Sequence, residues 1–372
     1  MSTNTPSCIA VDCRMLGMSG IGVYIENTVP QLVRELSGCK FRLIGDEDKL
    51  KKLPLPKDSL ETGRVSFYPC QARIYSIKEQ FLLPLAAKGA DLLWVPHYNI
   101  PLLSSVPLLV TVHDVAHLVL PEVVKSPVRH AYARFVFSAV RRKAKAVLTV
   151  SQFTADEFVR CVGRPQGALH VVHNGVSEVW FAQEEDLPEA GKSGADSAAP
   201  YFIAVGNLKA HKRIDLLCRA FAAVSDRLPH NLLLVGKYDG FISGGQSLED
   251  LLSLAPGRIK AAGRIDDDKL RHLVRHAAAL VFPSCYEGFG LPPLEAMAAG
   301  VPVIASDIPP VREVCKDFAE YFTMDNQEAL QQALLKLANE DCSAQVPQAR
   351  EHAATFQWSR TAHAIAQIIS QL

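Results

Sequence analysis

The strongest constraint on the fold is a repeated alternation of short apolar runs with longer helix-like segments. An apolar run at residues 7–13 leads through glycines into the helix-like sequence YIENTVPQLVREL, and more apolar runs follow at residues 40–45, 91–96, 107–114 and 145–151. Strands that alternate with helices form a largely parallel sheet with helices on its faces. This half of the chain therefore predicts an α/β domain.

A second series of the same kind begins at residue 201, with the apolar runs YFIAVG, NLLLVG, IKAAG, ALVFPS and VPVIAS. Residues 181–200 carry glycine, proline and charge with almost no large apolar side chain, which is typical of a linker. We predict two doubly wound, Rossmann-like domains, residues 1–180 and 201–356. Either domain could receive the amphipathic helix at residues 357–372, and we assign it to the first.

Composition excludes several classes of protein. Lys and Arg together number 39, as do Asp and Glu, so the net charge gives no attraction for polyanions, and we expect no nucleic-acid partner. No leader-like start and no long uncharged apolar stretch is present, which favours a soluble, cytoplasmic protein. The nine cysteines are scattered without a C-x-x-C pair, so we expect small, reduced, buried side chains rather than a zinc or redox site.

Ligands of open parallel sheets bind beyond the carboxyl ends of the strands. Residues 17–24, GMSGIGVY, lie there, and their glycines would let backbone N–H groups approach an anion ahead of a helix. Many strand-to-helix turns need glycine for geometry alone, so this segment leaves phosphate binding open. It does not match the dinucleotide pattern G-x-G-x-x-G.

The segment VGNLKAHKRIDLL, residues 205–217, has a second unusual feature. Lys212 and Arg213 are expected to open a helix, although cations at a helix N-terminus oppose the helix dipole. A bound diphosphate would compensate for this mismatch, whereas the simpler alternative is a solvated basic turn.

The third segment is EGFGLPPLE, residues 287–295. Gly288 and Gly290 permit a tight turn, and Pro292-Pro293 are expected to start a helix that has Glu295 in its first turn. The dipole alone would favour an acid there, but Glu287 follows a buried strand and could accept hydrogen bonds from vicinal hydroxyls. Two carboxylates beside an anion site suit a sugar nucleotide.

These segments resemble those of a known family. EGFGLPPLEAMAAGVPVIAS is similar to the E-x7-E region of family 4 retaining glycosyltransferases of GT-B fold, and VGNLKAHKRIDLL resembles their phosphate-binding segment. The resemblance extends through GMSGIGVYIENTVPQL, TVHDVAHLVLPE, AVLTVSQFTADEF and VVHNGV. It implies two Rossmann-like domains that face each other across a cleft.

The resemblance implies a role for each matching residue. Glu295 would hold the ribose, Glu287 would contact the donor sugar, and Lys212 would neutralise the leaving diphosphate. His113 would lie beside the donor sugar and the acceptor, with Asp114 as a weaker candidate that either orients His113 or caps a turn. The remaining expected donor contacts are Gly20, Ile21, Gly22, Asn207, His211, Arg213, Gly288, Phe289, Gly290 and Leu291.

One position departs from the family pattern. Relatives usually carry Arg-Lys where this chain has His211-Lys212, so part of the positive charge is absent or depends on pH. Arg213, Lys209 or Arg264 could substitute. The sequence IDDDK at residues 265–269 is read as a helix cap rather than a metal site. We therefore expect no metal and no cofactor, since the nucleotide sugar is a substrate.

The resemblance implies a retaining hexosyltransferase that acts on a glycan or lipid-linked acceptor, with GDP-mannose favoured slightly over UDP-sugars. A nucleotide-sugar 2-epimerase and a non-catalytic binding subunit of the same fold are the alternatives. The base would be selected around residues 237–245. The basic, aromatic helix near residues 126–145 either contacts an anionic membrane or simply covers the sheet.

Overall fold

A computed structural model describes residues 6–120, 126–182, 199–207, 209–237, 246–340 and 343–372. The chain divides into two compact units, one formed by Met1–Gly175 with Gln357–Leu372 and the other by Val176–Phe356. Most of the expected linker and residues 238–245 of the expected base-selecting loop lie outside the described residues.

Unit 1 (Met1–Gly175 with Gln357–Leu372) is built on a seven-stranded sheet of order β3-β2-β1-β4-β5-β6-β7, and every pair of neighbouring strands is parallel. The strands are β1 Cys8–Asp12, β2 Lys40–Gly45, β3 Val65–Pro69, β4 Leu92–Val95, β5 Leu108–Val112, β6 Ala144–Thr149 and β7 Ala168–Val171. The helices are α1 Ser19–Glu35, α2 Glu47–Leu50, α3 Lys57–Glu61, α4 Glu79–Ala87, α5 Ala116–Val119, α6 Pro127–Lys143, α7 Gln152–Val162 and α15 Trp358–Ile369.

Unit 2 (Val176–Phe356) repeats this architecture with a six-stranded parallel sheet of order β10-β9-β8-β11-β12-β13. The strands are β8 Tyr201–Val205, β9 Asn231–Val235, β10 Ile259–Gly263, β11 Ala279–Phe282, β12 Val303–Ser306 and β13 Glu320–Phe322. The helices are α8 Ile214–Val224, α9 Leu248–Leu252, α10 Asp267–Arg275, α11 Leu291–Ala298, α12 Pro309–Cys315, α13 Gln327–Asn339 and α14 Val346–Ala353.

Burial explains why these apolar runs form strands. All residues of β4, β5 and β11 are buried, as expected for parallel strands covered by helices on both faces. The C-terminal helix α15 packs on α1 and buries Ile365 and Ile369 in unit 1. The prediction of two doubly wound α/β domains is confirmed.

Each sheet has one point at which the strand order reverses. In unit 1 the chain builds β1, β2 and β3 outward and then returns to place β4 on the other side of β1; in unit 2 the same reversal lies between β8 and β11. The carboxyl ends of the two strands at such a point diverge and leave a crevice for ligands. The residues that follow β1, β4, β8 and β11 are therefore the first to consider for function.

Two helix starts differ from the sequence prediction. Helix α1 begins at Ser19, so Gly20, Ile21 and Gly22 lie in its first turn and not in a loop before it. Helix α11 begins at Leu291, which makes Glu295 its fifth residue and places it in the second turn. The dipole at the first turn therefore does not account for Glu295.

Candidate active site

A lysine and a glutamate form an ion pair at the strand-order reversal of unit 2. Lys212 Nζ lies 2.5 Å from Glu287 Oε1, and the side chains are only 18% and 14% exposed. Lys212 ends a short 3-10 helix, Ala210–Lys212, that follows β8, whereas Glu287 follows β11. Two oppositely charged groups predicted to bind one ligand are thus brought together.

A small pocket lies beside this pair. Its lining includes Gly206 and Asn207 after β8, Lys212, and Pro283 and Ser284 after β11. The loops on its two sides are joined by a backbone hydrogen bond of 2.8 Å from the Cys285 N–H to the His211 carbonyl. The pocket therefore occupies the position at which doubly wound sheets bind ligands.

Ser284 is a residue that the sequence reasoning missed. Its side chain is fully buried, and its hydroxyl has no hydrogen-bond partner among the residues that the structure describes. A buried hydroxyl without a partner costs about 1–3 kcal/mol. A ligand oxygen in the pocket would supply the missing partner. The only available signal in the sequence was the position of Ser284 two residues after a buried strand.

The turn from Glu287 into α11 depends on a glycine. Gly290 is the N-cap of α11 and has φ of 116°, a conformation that L side chains rarely adopt. The first amides of α11 follow it, beginning at Leu291. Phe289 is 4% exposed and makes a ring contact with Phe356, so only its backbone could meet a ligand.

Glu295 has an unusual protonation equilibrium. Burial, assisted by Asp267, raises its pKa to about 7, although the hydrogen bond from Trp180 and the charge of Arg271 act in the opposite direction. Near neutral pH this group therefore exchanges between an acid and a carboxylate. A ligand hydroxyl that donates to Glu295 would favour the carboxylate.

The basic residues near Lys212 are not equivalent. Arg213 is the N-cap of α8, in a left-handed conformation with φ of 51°, and its Nε lies 2.6 Å from Asp325 Oδ1. Lys209 and Arg264 are exposed and form no ion pair within the described ranges. Of the three candidates to replace the missing arginine charge, Arg213 is thus already neutralised by a carboxylate.

In unit 1, His113 follows β5 and is held by aromatic contacts. Its Nε2–H donates to the Pro96 carbonyl at 3.0 Å, and its ring makes an edge contact with Tyr24 at 4.9 Å. Tyr24 makes an edge contact in turn with Trp358 of α15 at 5.9 Å. Burial lowers the pKa of His113 to about 4, so the ring is neutral at pH 7 and its Nδ1 is a hydrogen-bond acceptor.

Asp114, next to His113, caps the following turn. Its Oδ1 accepts a 2.9 Å hydrogen bond from the Ala116 N–H. Of the two alternatives considered for Asp114, the structure shows the cap.

A buried polar network lies at the strand-order reversal of unit 1, and the sequence reasoning missed it. Arg14 forms two hydrogen bonds with Asp12, at 2.8 and 2.7 Å, and lies 3.1 Å from Glu79. His97 accepts from the Asn99 N–H through Nδ1 and donates from Nε2 to Asp12 at 3.2 Å. The Asn99 amide donates to Glu79 at 2.6 Å, so every charged member has a partner.

Burial alone would raise the pKa of Asp12, but hydrogen bonds from Arg14 and His97 hold it below its usual range. Asp12 is therefore ionised at neutral pH. The network ties the end of β1 to the start of α4 and to the loop after β4.

The described residues contain no group of three or more His, Cys, Asp and Glu side chains that could hold a metal ion. Asp266 caps α10 by accepting from the Lys269 N–H at 2.8 Å, as predicted for the sequence IDDDK. None of the helices in the described part of the chain is long and apolar enough to cross a membrane.

The two parallel-sheet α/β units have the architecture of the GT-B fold. Sucrose-phosphate synthase from Thermosynechococcus elongatus superposes with a TM-score of 0.73 at 21% identity, over 97% of this chain and 98% of that one. Residues 18–179 match the model of Glycosyltransferase Family 4, and residues 185–354 match that of Glycosyl transferases group 1. The chain therefore belongs to the glycosyltransferases that these two family models describe.

Two relatives of known name are similar in sequence. O-antigen chain mannosyltransferase RfbU of Salmonella typhimurium is 32% identical over 239 residues, which cover 64% of this chain and 62% of the relative. O-antigen chain mannosyltransferase B of Escherichia coli is 29% identical over 259 residues, which cover 67% of this chain and 66% of the relative. In both cases the match spans slightly less than two thirds of the relative's length.

Proposed function

We propose that this protein transfers a hexose, mannose in the first instance, from a nucleoside diphosphate sugar to a glycan or lipid-linked oligosaccharide during polysaccharide synthesis. The observation that carries the proposal is the Lys212–Glu287 pair beside the pocket at the strand-order reversal of unit 2. The mannosyltransferase names of two relatives favour mannose, and GDP-mannose is the donor to test first.

Each site residue would contact a different part of the donor. Glu295 would accept hydrogen bonds from the ribose, and Glu287 would accept from the donor sugar. Lys212, the first amides of α11 and the Ser284 hydroxyl would stabilise the diphosphate. The neutral His113 would accept from a sugar hydroxyl through Nδ1, because Nε2 already donates to Pro96.

In the proposed reaction the bond from the anomeric carbon to the diphosphate oxygen breaks and a bond to the acceptor oxygen forms. The acceptor proton passes to the leaving phosphate oxygen, so no carboxylate base is required. Attack on the face that the diphosphate leaves retains the anomeric configuration. Of the ways in which the protein accelerates transfer, we expect electrostatic stabilisation of the leaving diphosphate to contribute most.

The test begins with a thermal-shift panel of GDP, UDP, dTDP and ADP and their sugar conjugates, since a ligand of the native state raises its stability. Transfer is then measured with the donor that shifts, with and without a chelator, and the product anomer is assigned by NMR. We expect one nucleotide class to shift, and transfer to survive the chelator. Absence of any shift in folded protein would overturn the proposal.

The same assay separates the alternatives. A 2-epimerase would convert the sugar nucleotide in the absence of an acceptor. A binding subunit would show the shift without turnover. A hexosyltransferase requires the acceptor for sugar transfer.

We also propose that unit 1 contacts an anionic membrane surface through α4 and α6. Side chains on or next to these helices are apolar and exposed: Ile77 82%, Phe81 61%, Leu85 58%, Val128 77% and Phe135 53%. Residues 126–145 carry Arg and Lys without any Asp or Glu. Exposed apolar side chains with surrounding cations suit the headgroup region of an anionic bilayer.

A further inference from the structure

Three tyrosines form a cluster at the carboxyl edge of the sheet in unit 1. Tyr75 follows β3, Tyr98 follows β4, and Tyr132 lies on α6. The Tyr75 ring lies 6.1 Å from that of Tyr98 and 6.5 Å from that of Tyr132, measured between centroids. Tyr75 is 51% exposed and Tyr132 is 37% exposed, so two of the three rings present surface to solvent.

A ring stack and hydrogen bonds hold the three tyrosines in place. Tyr98 stacks on Phe137 with a centroid distance of 4.3 Å, and the Tyr75 hydroxyl donates to the Tyr98 hydroxyl at 3.0 Å. The Tyr132 hydroxyl donates to Asn99 Oδ1 at 2.8 Å, and Asn99 belongs to the buried network of Asp12, Arg14, Glu79 and His97. The buried network therefore fixes the Tyr132 ring as well as the loop after β4.

The backbone at Tyr75 is unusual. Tyr75 has φ of 64°, in the left-handed region that costs a bulky residue free energy. Such conformations persist where the surrounding structure imposes them and are frequent at binding sites. Here the conformation places the ring half-exposed beside Tyr98 and Tyr132.

Hydrogen-bonding groups surround the rings. Asp114 caps the turn at the start of α5, and His117 of α5 lies 5.3 Å from Tyr98, measured between ring centroids. Within the described ranges, the only hydrogen bond that Asp114 makes is the one accepted by Oδ1. Burial raises the pKa of Tyr132 to about 12, so its hydroxyl stays protonated at neutral pH. Flat apolar faces with hydroxyls and one carboxylate at their edge match a sugar ring, which has an apolar C–H face and a rim of hydroxyls.

We propose that Tyr75, Tyr98 and Tyr132, with Asp114 at their edge, form the platform that receives the saccharide of the acceptor. The proposal rests on the proposed transferase function, and it assigns the acceptor class as a pyranose with an exposed C–H face. Tyr75 and Tyr132 stack on the ring, and Asp114 accepts from its hydroxyls. The buried network acts through Tyr132 as a positioning element.

The test is saturation-transfer NMR on the full chain with a saturating nucleoside diphosphate. The probes are methyl α-D-mannopyranoside, methyl α-D-glucopyranoside and methyl α-D-galactopyranoside. Tyr75→Ala and Tyr132→Ala are compared with Tyr68→Ala, a control that removes a tyrosine on β3 of similar exposure, 39%. We expect at least one glycoside to give signals on its C–H face, weakened about three- to tenfold by the first two substitutions and unchanged by the control.

The nucleotide thermal shift separates the two proposals. If the shift is present but no glycoside gives a signal, or if Tyr75→Ala and Tyr132→Ala keep the full signal, the platform is overturned and the transferase function stands. An equal loss in Tyr68→Ala also overturns the platform. If the nucleotide shift itself is absent, the transferase proposal fails. Tyr132→Phe, which loses only the bond to Asn99, should weaken the signal less than Tyr132→Ala.

Discussion

At the scale of single residues, the Lys212–Glu287 pair is the feature with the clearest consequence. The two side chains neutralise each other at 2.5 Å in a partly enclosed position. A diphosphate must therefore compete with Glu287 for Lys212, because one ammonium cannot serve both anions fully.

We predict that Glu287→Gln binds nucleoside diphosphate about three- to tenfold more tightly and transfers sugar at least about tenfold more slowly. The substitution keeps the shape of the side chain but frees Lys212. Lys212→Ala should weaken the same binding, and the exposed Lys209→Ala is the control. Calorimetric titration measures the affinity. Weaker diphosphate binding by Glu287→Gln would show that the pair does not compete with the ligand.

The raised pKa of Glu295 predicts that the free energy of unfolding depends on pH. Its folded pKa of about 7 lies above the ordinary 4.5, so between these values the folded chain holds a proton that the unfolded chain releases. Stability therefore decreases as pH rises from about 4.5 to about 7, by about 1–3 kcal/mol. Chemical denaturation of wild type and Glu295→Gln across this range checks it. We expect the substitution to remove this component, and identical pH profiles would contradict it.

Features of the site formed by residues close in sequence could be predicted, whereas contacts between residues far apart in sequence could not. The segment EGFGLPPLE is local, so its glycine turn and its two acids were predictable. Glu79 and His97 reach Arg14 and Asp12 across 65 and 85 residues, and no local pattern encodes such pairing. The position of Asp12 at the end of a buried strand was the one available signal.

At the scale of elements, helix starts were harder to predict than strands. The apolar run KFRLIG forms β2 with the expected limits, because burial selects continuous apolar sequence. The run IKAAG also forms its strand with the expected limits, although β10 lies at an edge of the sheet and is exposed beyond Ile259. Two glycines in the first turn of α1 gave the appearance of a loop. The edge strands β3, β7 and β13 carry exposed or polar residues and were not predicted.

The first turn of α1 supplies a matched pair of substitutions. A Cβ on Gly20 meets nothing within 4 Å, whereas one on Gly22 would lie 2.9 Å from the Gly17 amide nitrogen. Gly20→Ala should keep or raise stability by up to about 1 kcal/mol, since alanine favours helix, and Gly22→Ala should lower it. If Gly20 approaches the diphosphate, Gly20→Ala also slows transfer at unchanged stability. Thermal unfolding and rate together check this, and full activity in Gly20→Ala would exclude the contact.

The surface formed by α4 and α6 predicts binding to anionic vesicles. Arg129→Glu with Arg134→Glu should reduce cosedimentation with phosphatidylglycerol vesicles, because each cation near an anionic surface contributes about 1 kcal/mol. Lys52→Glu with Lys57→Glu changes the charge equally at exposed positions elsewhere in unit 1. Binding should be weak with phosphatidylcholine alone. If both double variants lowered vesicle binding equally, the binding would depend on the net charge of the protein and not on the surface of α4 and α6.

At the scale of the whole molecule, each unit has its own buried core and its own part of the proposed chemistry. Unit 1 holds His113 and the tyrosine platform, and unit 2 holds the donor pocket. The core of unit 1 includes the last helix of the chain, since Trp358 on α15 is 6% exposed and contacts Tyr24. Tyr24 in turn contacts His113, so the far end of the sequence positions a candidate catalytic residue.

Two core substitutions should show which unit binds the nucleotide. Trp358→Ala removes a buried ring from unit 1, and Phe221→Ala removes one from the core of unit 2; such changes cost about 3–5 kcal/mol. We expect Trp358→Ala to lose transfer while nucleoside diphosphate still raises the temperature of an unfolding transition. Phe221→Ala should lose that stabilisation by ligand. Scanning calorimetry with and without nucleotide measures both. If the two variants lost nucleotide binding alike, the donor pocket would not belong to unit 2 alone.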